Sequence, residues 1–247
     1  MKYSILSIIF YCCSALNLSA QSAKDSLFHI GVETGWFWNN GNVQIESSNG
    51  FFSKASDIVD YRKAYLALNF SYQKPRYSLE FAVSTLSNVL LIGYNNGNTS
   101  GSTRPYIYLP LRYYRTLNLG NTVRADFGAG AGLALLASET NDFISQSQST
   151  FITQSGGVTT TTEIISNESI VNRRLLCLEP TLKLRFKMRK GREFNVMSRY
   201  IYSLGSARRE KTEIQIDNQP PQIGTAQNTL SGFVLGLSFS WHLQRRK

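Results

Sequence analysis

The chain has 247 residues, with 26 Lys or Arg against 16 Asp or Glu, a net charge of +10, and three Cys. That length suits a single barrel or sandwich, and once a leader is removed Cys177 stands alone and closes no internal disulfide. Nucleic acid, the usual partner of a basic chain, is not expected, because the bases are scattered through alternating segments and the last of them, in QRRK, lie past the final one.

In chain order, Lys2, an apolar stretch from Ile5 to Leu16 and then NLSAQ have the layout of a secretory signal peptide cut after Ala20. Residues 1–20 are read as leader and 21–247 as the mature domain. The leader's apolar run is too short to span a bilayer, and no later segment offers about 18 consecutive apolar residues. Eight segments then alternate apolar and polar residues with the period of 2 that marks strands: roughly 28 to 40, 63 to 75, 76 to 94, 104 to 117, 121 to 138, 173 to 189, 192 to 206 and 231 to 243. Tight turns, QKPRY, LNLGN and RKGRE, follow the second, fourth and sixth segments. The other connections are long. Sorting all long connections to one end and all tight turns to the other is the habit of outer-membrane barrels, with short periplasmic turns and long outer loops.

The side-chain parities agree. One face carries Val32, Trp36, Leu66, Leu68, Leu79, Leu111, Phe127, Leu176, Leu182, Leu184, Val196, Leu235, Leu237 and Trp241, with no charge on any strand. Aromatics gather toward the strand ends, at Trp36, Trp38, Tyr72, Tyr77, Tyr113 and Trp241, where interfacial girdles belong. The opposite parity carries Glu33, Glu80, Arg112, Arg124, Asp126, Glu179, Lys183, Arg185 and Arg199, together with many Gly, Ala and Ser. A soluble barrel of the lipocalin kind would enclose its apolar face instead. The expected fold is all-β: an eight-stranded antiparallel up-and-down transmembrane barrel, apolar outside and charged within.

With its leader, its loop sorting, YIYLPLRYYR at 106–115, ADFGAGAGLAL at 125–135 and the final strand GFVLGLSFSWHL, the chain resembles the small outer-membrane barrels of the OmpA/OmpX and PorT-like kind. The resemblance covers nearly the whole mature chain and implies residence in the bacterial outer membrane, insertion by the barrel-assembly machinery and contact with membrane lipid. One departure is that HLQRRK follows Trp241, where such barrels usually stop on an aromatic residue.

The nine inward charges are read as a structural cluster that fills the lumen through salt bridges, with a narrow conducting path as the alternative. His29 and His242 share the enclosed parity of the first and last strands, which meet when a barrel closes, but no further metal ligand accompanies them. No nucleophile motif or phosphate loop appears, so neither a catalytic residue, a metal site nor a cofactor is expected, and the chain is not read as an enzyme. The segment 145–169 has 12 Ser or Thr in 25 residues, yet FITQSGGVTTTTEII alternates around Ser-Gly-Gly and predicts a projecting hairpin; EKTEIQIDNQPPQIGTAQ predicts a second. The loops 139–172 and 207–230 are thus either plain extensions of the wall or edges that bind an extracellular or secretion-system partner by strand addition. The functional expectation is a non-enzymatic envelope barrel with partner-binding loops; a narrow pore, or a barrel enzyme acting on lipid or peptide, are the alternatives.

Overall fold

The structure, a computed structural model, describes residues 27–39, 44–47, 52–54, 62–94, 99–137, 149–155, 158–217 and 220–243. The expected leader at 1–20 and the QRRK tail lie outside them. Eight strands form the barrel: β1 (Leu27–Asn39), β4 (Arg62–Gln73), β5 (Tyr77–Tyr94), β6 (Thr99–Asn118), β7 (Val123–Leu136), β10 (Arg174–Lys187), β11 (Arg192–Ser203) and β14 (Gly232–His242). All eight segments expected from periodicity are present. Each strand pairs antiparallel with the next, and β1 closes on β14 with Glu33 opposite Ser238 and Gly35 opposite Gly236. Closure leaves no open edge in the wall, which is what a strand structure needs where no water is present to satisfy its amides.

A membrane-crossing strand needs about 9–11 residues, so β5 and β6, with 18 and 20, rise well beyond a bilayer at their loop ends. There β3 (Phe52–Lys54) adds to the top of β5. The remaining strands, β2 (Gln44–Ser47), β8 (Ser149–Ser155), β9 (Val158–Val171), β12 (Ser206–Ile216) and β13 (Gln222–Thr229), form a second sheet in the order β2-β13-β12-β9-β8. Both hairpins predicted from the loop sequences are therefore present as strand pairs: Ser155 pairs Val158 in the first, and Ile214 pairs Gln222 in the second. Alternation within each loop does not reveal that three separate loops join into one five-stranded wall.

The exterior of the barrel is apolar and open. Leu176, Leu111, Trp36 and Leu66 are 61, 60, 57 and 56% exposed. Leaving such side chains in water forgoes roughly 1.5–3 kcal/mol apiece relative to burial, whereas in hydrocarbon they are at rest. No helix among the described residues is long and apolar enough to cross a membrane; the crossing belongs to the strands. An apolar exterior, a charged interior and closed antiparallel strands with tight turns at one end define a transmembrane barrel of the bacterial outer-membrane type.

Candidate functional site: a two-storey lumen

The sequence brings charges inside by alternation, and the register then sets them at common height. Arg112 on β6 lies opposite Glu80 on β5 and Gly130 on β7, and Gly130 in turn lies opposite Glu179 on β10. A Cβ on Gly130 would stand 2.9 Å from Arg112 Cγ and 3.0 Å from Glu179 Cγ, so the glycine gives the space in which the two side chains meet. Gly128 and Gly132 make the same room for the rings of Tyr114 and Tyr108. This accounts for the small residues of ADFGAGAG: narrow residues on one strand accommodate large ones on its neighbours.

The turn-side half of the lumen is ionic. Arg112 bridges Glu80, at 2.8 Å from Nη1, and Glu179 through Nε. Glu80 also binds Lys183, whose ammonium lies 4.5 Å from the Tyr114 ring centroid, and accepts from the Tyr114 hydroxyl at 3.3 Å. Arg185 meets Asp126 through Nε at 2.6 Å and Nη2 at 2.7 Å, and Thr116 joins both by donating to Asp126 at 2.8 Å and accepting from Arg185 at 2.8 Å. Arg199 pairs with Glu33 at 3.0 Å and donates to the Tyr65 hydroxyl at 3.1 Å. Eight of the nine charges singled out from sequence are buried here. Arg124, the ninth, is half-buried near the turn-side mouth and belongs to none of the ion pairs found among the described residues.

Sequence reasoning missed Glu193, although its alternation with Asn195 and Met197 marks it as inward. It is buried, accepts from Gln73 at 3.2 Å, and stands 3.9 Å from Arg185 and 4.0 Å from His29. The two histidines are direct partners across β1 and β14, their rings 5.3 Å apart. No group of three or more His, Cys, Asp or Glu among the described residues is placed to hold a metal ion.

The loop-side half of the lumen is different. Phe37, Leu86, Tyr106, Tyr108, Leu175, Cys177, Met197, Ile201, Leu230 and Val234 pack there as one buried cluster. The sequence reading assigned the inner parity to charged and small residues, and the structure corrects this: large apolar side chains close the upper lumen. Cys177 is buried among them, as its parity indicates. Tyr65, touching this cluster with its ring and Arg199 with its hydroxyl, joins the two halves.

Above the apolar cluster the β5–β6 hairpin is stapled to the second sheet. Asn88 donates to the Thr229 carbonyl at 3.0 Å and Asn228 to the Val89 carbonyl at 2.8 Å. On the inner face of β12, Arg208 pairs with Glu210 and donates to Ser169 at 3.1 Å. This pair lies beyond the membrane-crossing part, and burial lowers the Arg208 pKa and raises that of Glu210.

No family model matches the chain, and no curated relative matches it. Similar solved structures include the outer membrane protein OprG from Pseudomonas aeruginosa, 14% identical over 89% of this chain and 97% of that one, with a TM-score of 0.48. A major outer membrane protein from Thermus thermophilus is 8% identical over 88% and 99%, with a TM-score of 0.47. The outer membrane protein AlkL, determined in lipid bilayers, is 13% identical over 92% and 96%, with a TM-score of 0.44.

Proposed function

We propose that this is a closed, non-conducting and non-enzymatic outer-membrane barrel, delivered by a leader at 1–20 and akin to the small OmpA/OmpX and PorT-like barrels, whose working surface is the loop-side sheet. The observation that carries this reading is the filled lumen. Eight strands leave an interior just wide enough for side chains. Ion pairs occupy its lower half and packed apolar groups its upper half. The space left beside Gln73, Glu80, Lys183 and Arg185 amounts to about 10 Å³, room for a single water. Ions crossing this barrel would have to displace both storeys.

With the lumen closed, the feature that reaches outward is the five-stranded sheet built from three loops. Its β8 edge pairs with β9 on one side, so its other side supports strand addition by an extended segment of an extracellular or secretion-system partner. Two measurements test the reading. In planar bilayers the protein is expected to show no steady conductance; stable ion-selective channels would promote the pore reading. On intact cells, a photo-crosslinker within 149–155 is expected to capture a discrete protein while one on the opposite edge at 44–47 does not. Equal labelling of both, or of neither, leaves the sheet as a plain extension of the wall and sinks the partner reading.

A further inference from the structure

The positive charge of this chain has an address. The loop-side segments hold nine Lys or Arg and ten Asp or Glu, and the interior holds five of each. Ten bases belong to the tight turns, the strand ends beside them and the C-terminal tail, namely Lys74 and Arg76, Arg115, four within 187–192, and Arg245 to Lys247, while the acid Glu193 opposite Lys187 is buried and counted with the interior. That surplus equals the net charge of the whole molecule.

Lys74, Arg115 and Arg192 adjoin the aromatic edge of the apolar belt. Lys74 Nζ lies 5.9 Å from the ring centroid of Tyr72 and 5.5 Å from that of Tyr77. Arg115 is the direct cross-strand partner of Tyr77, and Arg192 of Trp241. Interfacial aromatics mark headgroup depth, so cations registered onto them stand at the level of lipid phosphates. The bases outside the tail recur at three places around the barrel, on the β4–β5 turn, on β6 and on the β10–β11 turn, and Arg76, Arg115, Lys187, Arg189 and Arg192 are exposed. A single small anion would need donors converging on one point. Cations spaced along a rim and continuous with a lipid-facing belt suit many separate phosphates held in a plane.

We propose that the turn-side rim binds anionic phospholipid headgroups of the leaflet it faces, through lysine and arginine pairing with lipid phosphate. The inference rests on the lipid-facing reading of the exterior, which different migration of unheated and boiled samples in SDS gels checks separately.

The test uses the whole protein folded in phosphatidylcholine bilayers, with spin-labelled phosphatidylglycerol and phosphatidylcholine as probes of the lipid next to the barrel. The anionic phosphatidylglycerol is expected to associate about three- to tenfold more strongly than phosphatidylcholine at low salt, with the preference shrinking in high salt as the charges are screened. The quadruple variant Lys187→Gln, Arg189→Gln, Lys190→Gln, Arg192→Gln should lose most of the preference. The loop-side variant Arg173→Gln, Arg174→Gln, Arg209→Gln should keep it. Equal association of the two lipids with the folded wild type overturns the proposal. So does a preference that survives the turn-side variant and vanishes in the loop-side one.

Discussion

The two halves of the lumen do the same work with opposite chemistry. Below, Arg112, Glu80, Glu179 and Lys183 fill the space with charges that are tolerable because each meets a counter-charge. Above, Phe37, Leu175, Ile201 and Val234 fill it with groups that need no partner. An ionic plug is intolerant of losing one member, since the remaining charges are left buried and uncompensated. An apolar plug loses contacts in proportion to what is removed and is indifferent to pH and salt. In a barrel with both, the upper half is filled by packed apolar groups, while the lower half, through pairs such as Lys183 to Glu80 and Arg199 to Glu33, ties non-adjacent strands together across the lumen.

The sharpest way to break this contrast is at Arg112. Arg112→Ala strands Glu179 and leaves Glu80 with Lys183 alone, and is expected to cost about 3–5 kcal/mol, read as a lowered urea midpoint of the SDS-resistant folded band in lipid. Lys183→Leu should cost less, because Glu80 retains Arg112. If the two variants are equally mild, the lower half is hydrated and its pairs do not hold the walls. In the upper half, Ile201→Ala is expected to cost about 2–5 kcal/mol through the cavity it leaves. Its effect should be the same in low and high salt, whereas a salt-sensitive loss would mean that water already reaches that layer.

Part of this contrast was legible in the sequence and part was not. The strands and their parity were legible because a period of 2 with an uncharged outer face leaves few alternatives: Leu182, Leu184 and Phe186 against Lys183 and Arg185 names both surroundings at once. The ionic half followed from that parity, although Glu193 was passed over beside the exposed bases of its turn. The apolar half was hidden because both faces become apolar toward the loop end. In NVLLIG at 88–93 alternation disappears, and around Ile201 the sequence RYIYS shows aromatic neighbours that look like one continuous surface. The five-stranded sheet was hidden for another reason. Its pairings, Gly224 with Ser47 and Arg208 with Val171, join residues far apart in sequence, and no local pattern encodes which loop meets which.

A third test swaps inside for outside across one peptide bond. Leu182 is 43% exposed on the lipid face, and Lys183, 5% exposed, pairs with Glu80 in the lumen. Leu182→Arg is expected to destabilise insertion by about 2–4 kcal/mol if the site lies near the bilayer midplane. Lipid-phase quenchers should reach a probe at 182 and fail to reach one at 183. The reverse pattern would exchange the two faces and return the soluble-barrel reading.

The smallest expected effect lies outside the membrane, where the second sheet repeats in miniature the ionic device of the lower lumen. Glu210 is 7% exposed, and burial raises its pKa, with Arg208 and then Arg104 opposing that shift. A carboxyl whose pKa is higher in the folded than in the unfolded chain binds protons more readily when folded, so acid favours the folded form. The contribution is fully present below the unfolded value of about 4.3 and is lost as pH rises through the raised folded value. This is the opposite of an ordinary salt-bridged carboxylate, whose contribution disappears in acid. Arg208, with its pKa lowered by burial, remains charged throughout that window and contributes no slope to it. Hydrogen exchange of the β12 and β13 amides, corrected for intrinsic rates, should therefore show slightly greater protection at pH 4 than at pH 7, and Glu210→Gln should flatten the difference. Protection that falls toward acid in the wild type and not in the variant would mean that pairing with Arg208 outweighs burial, making this pair a conventional stabilising bridge.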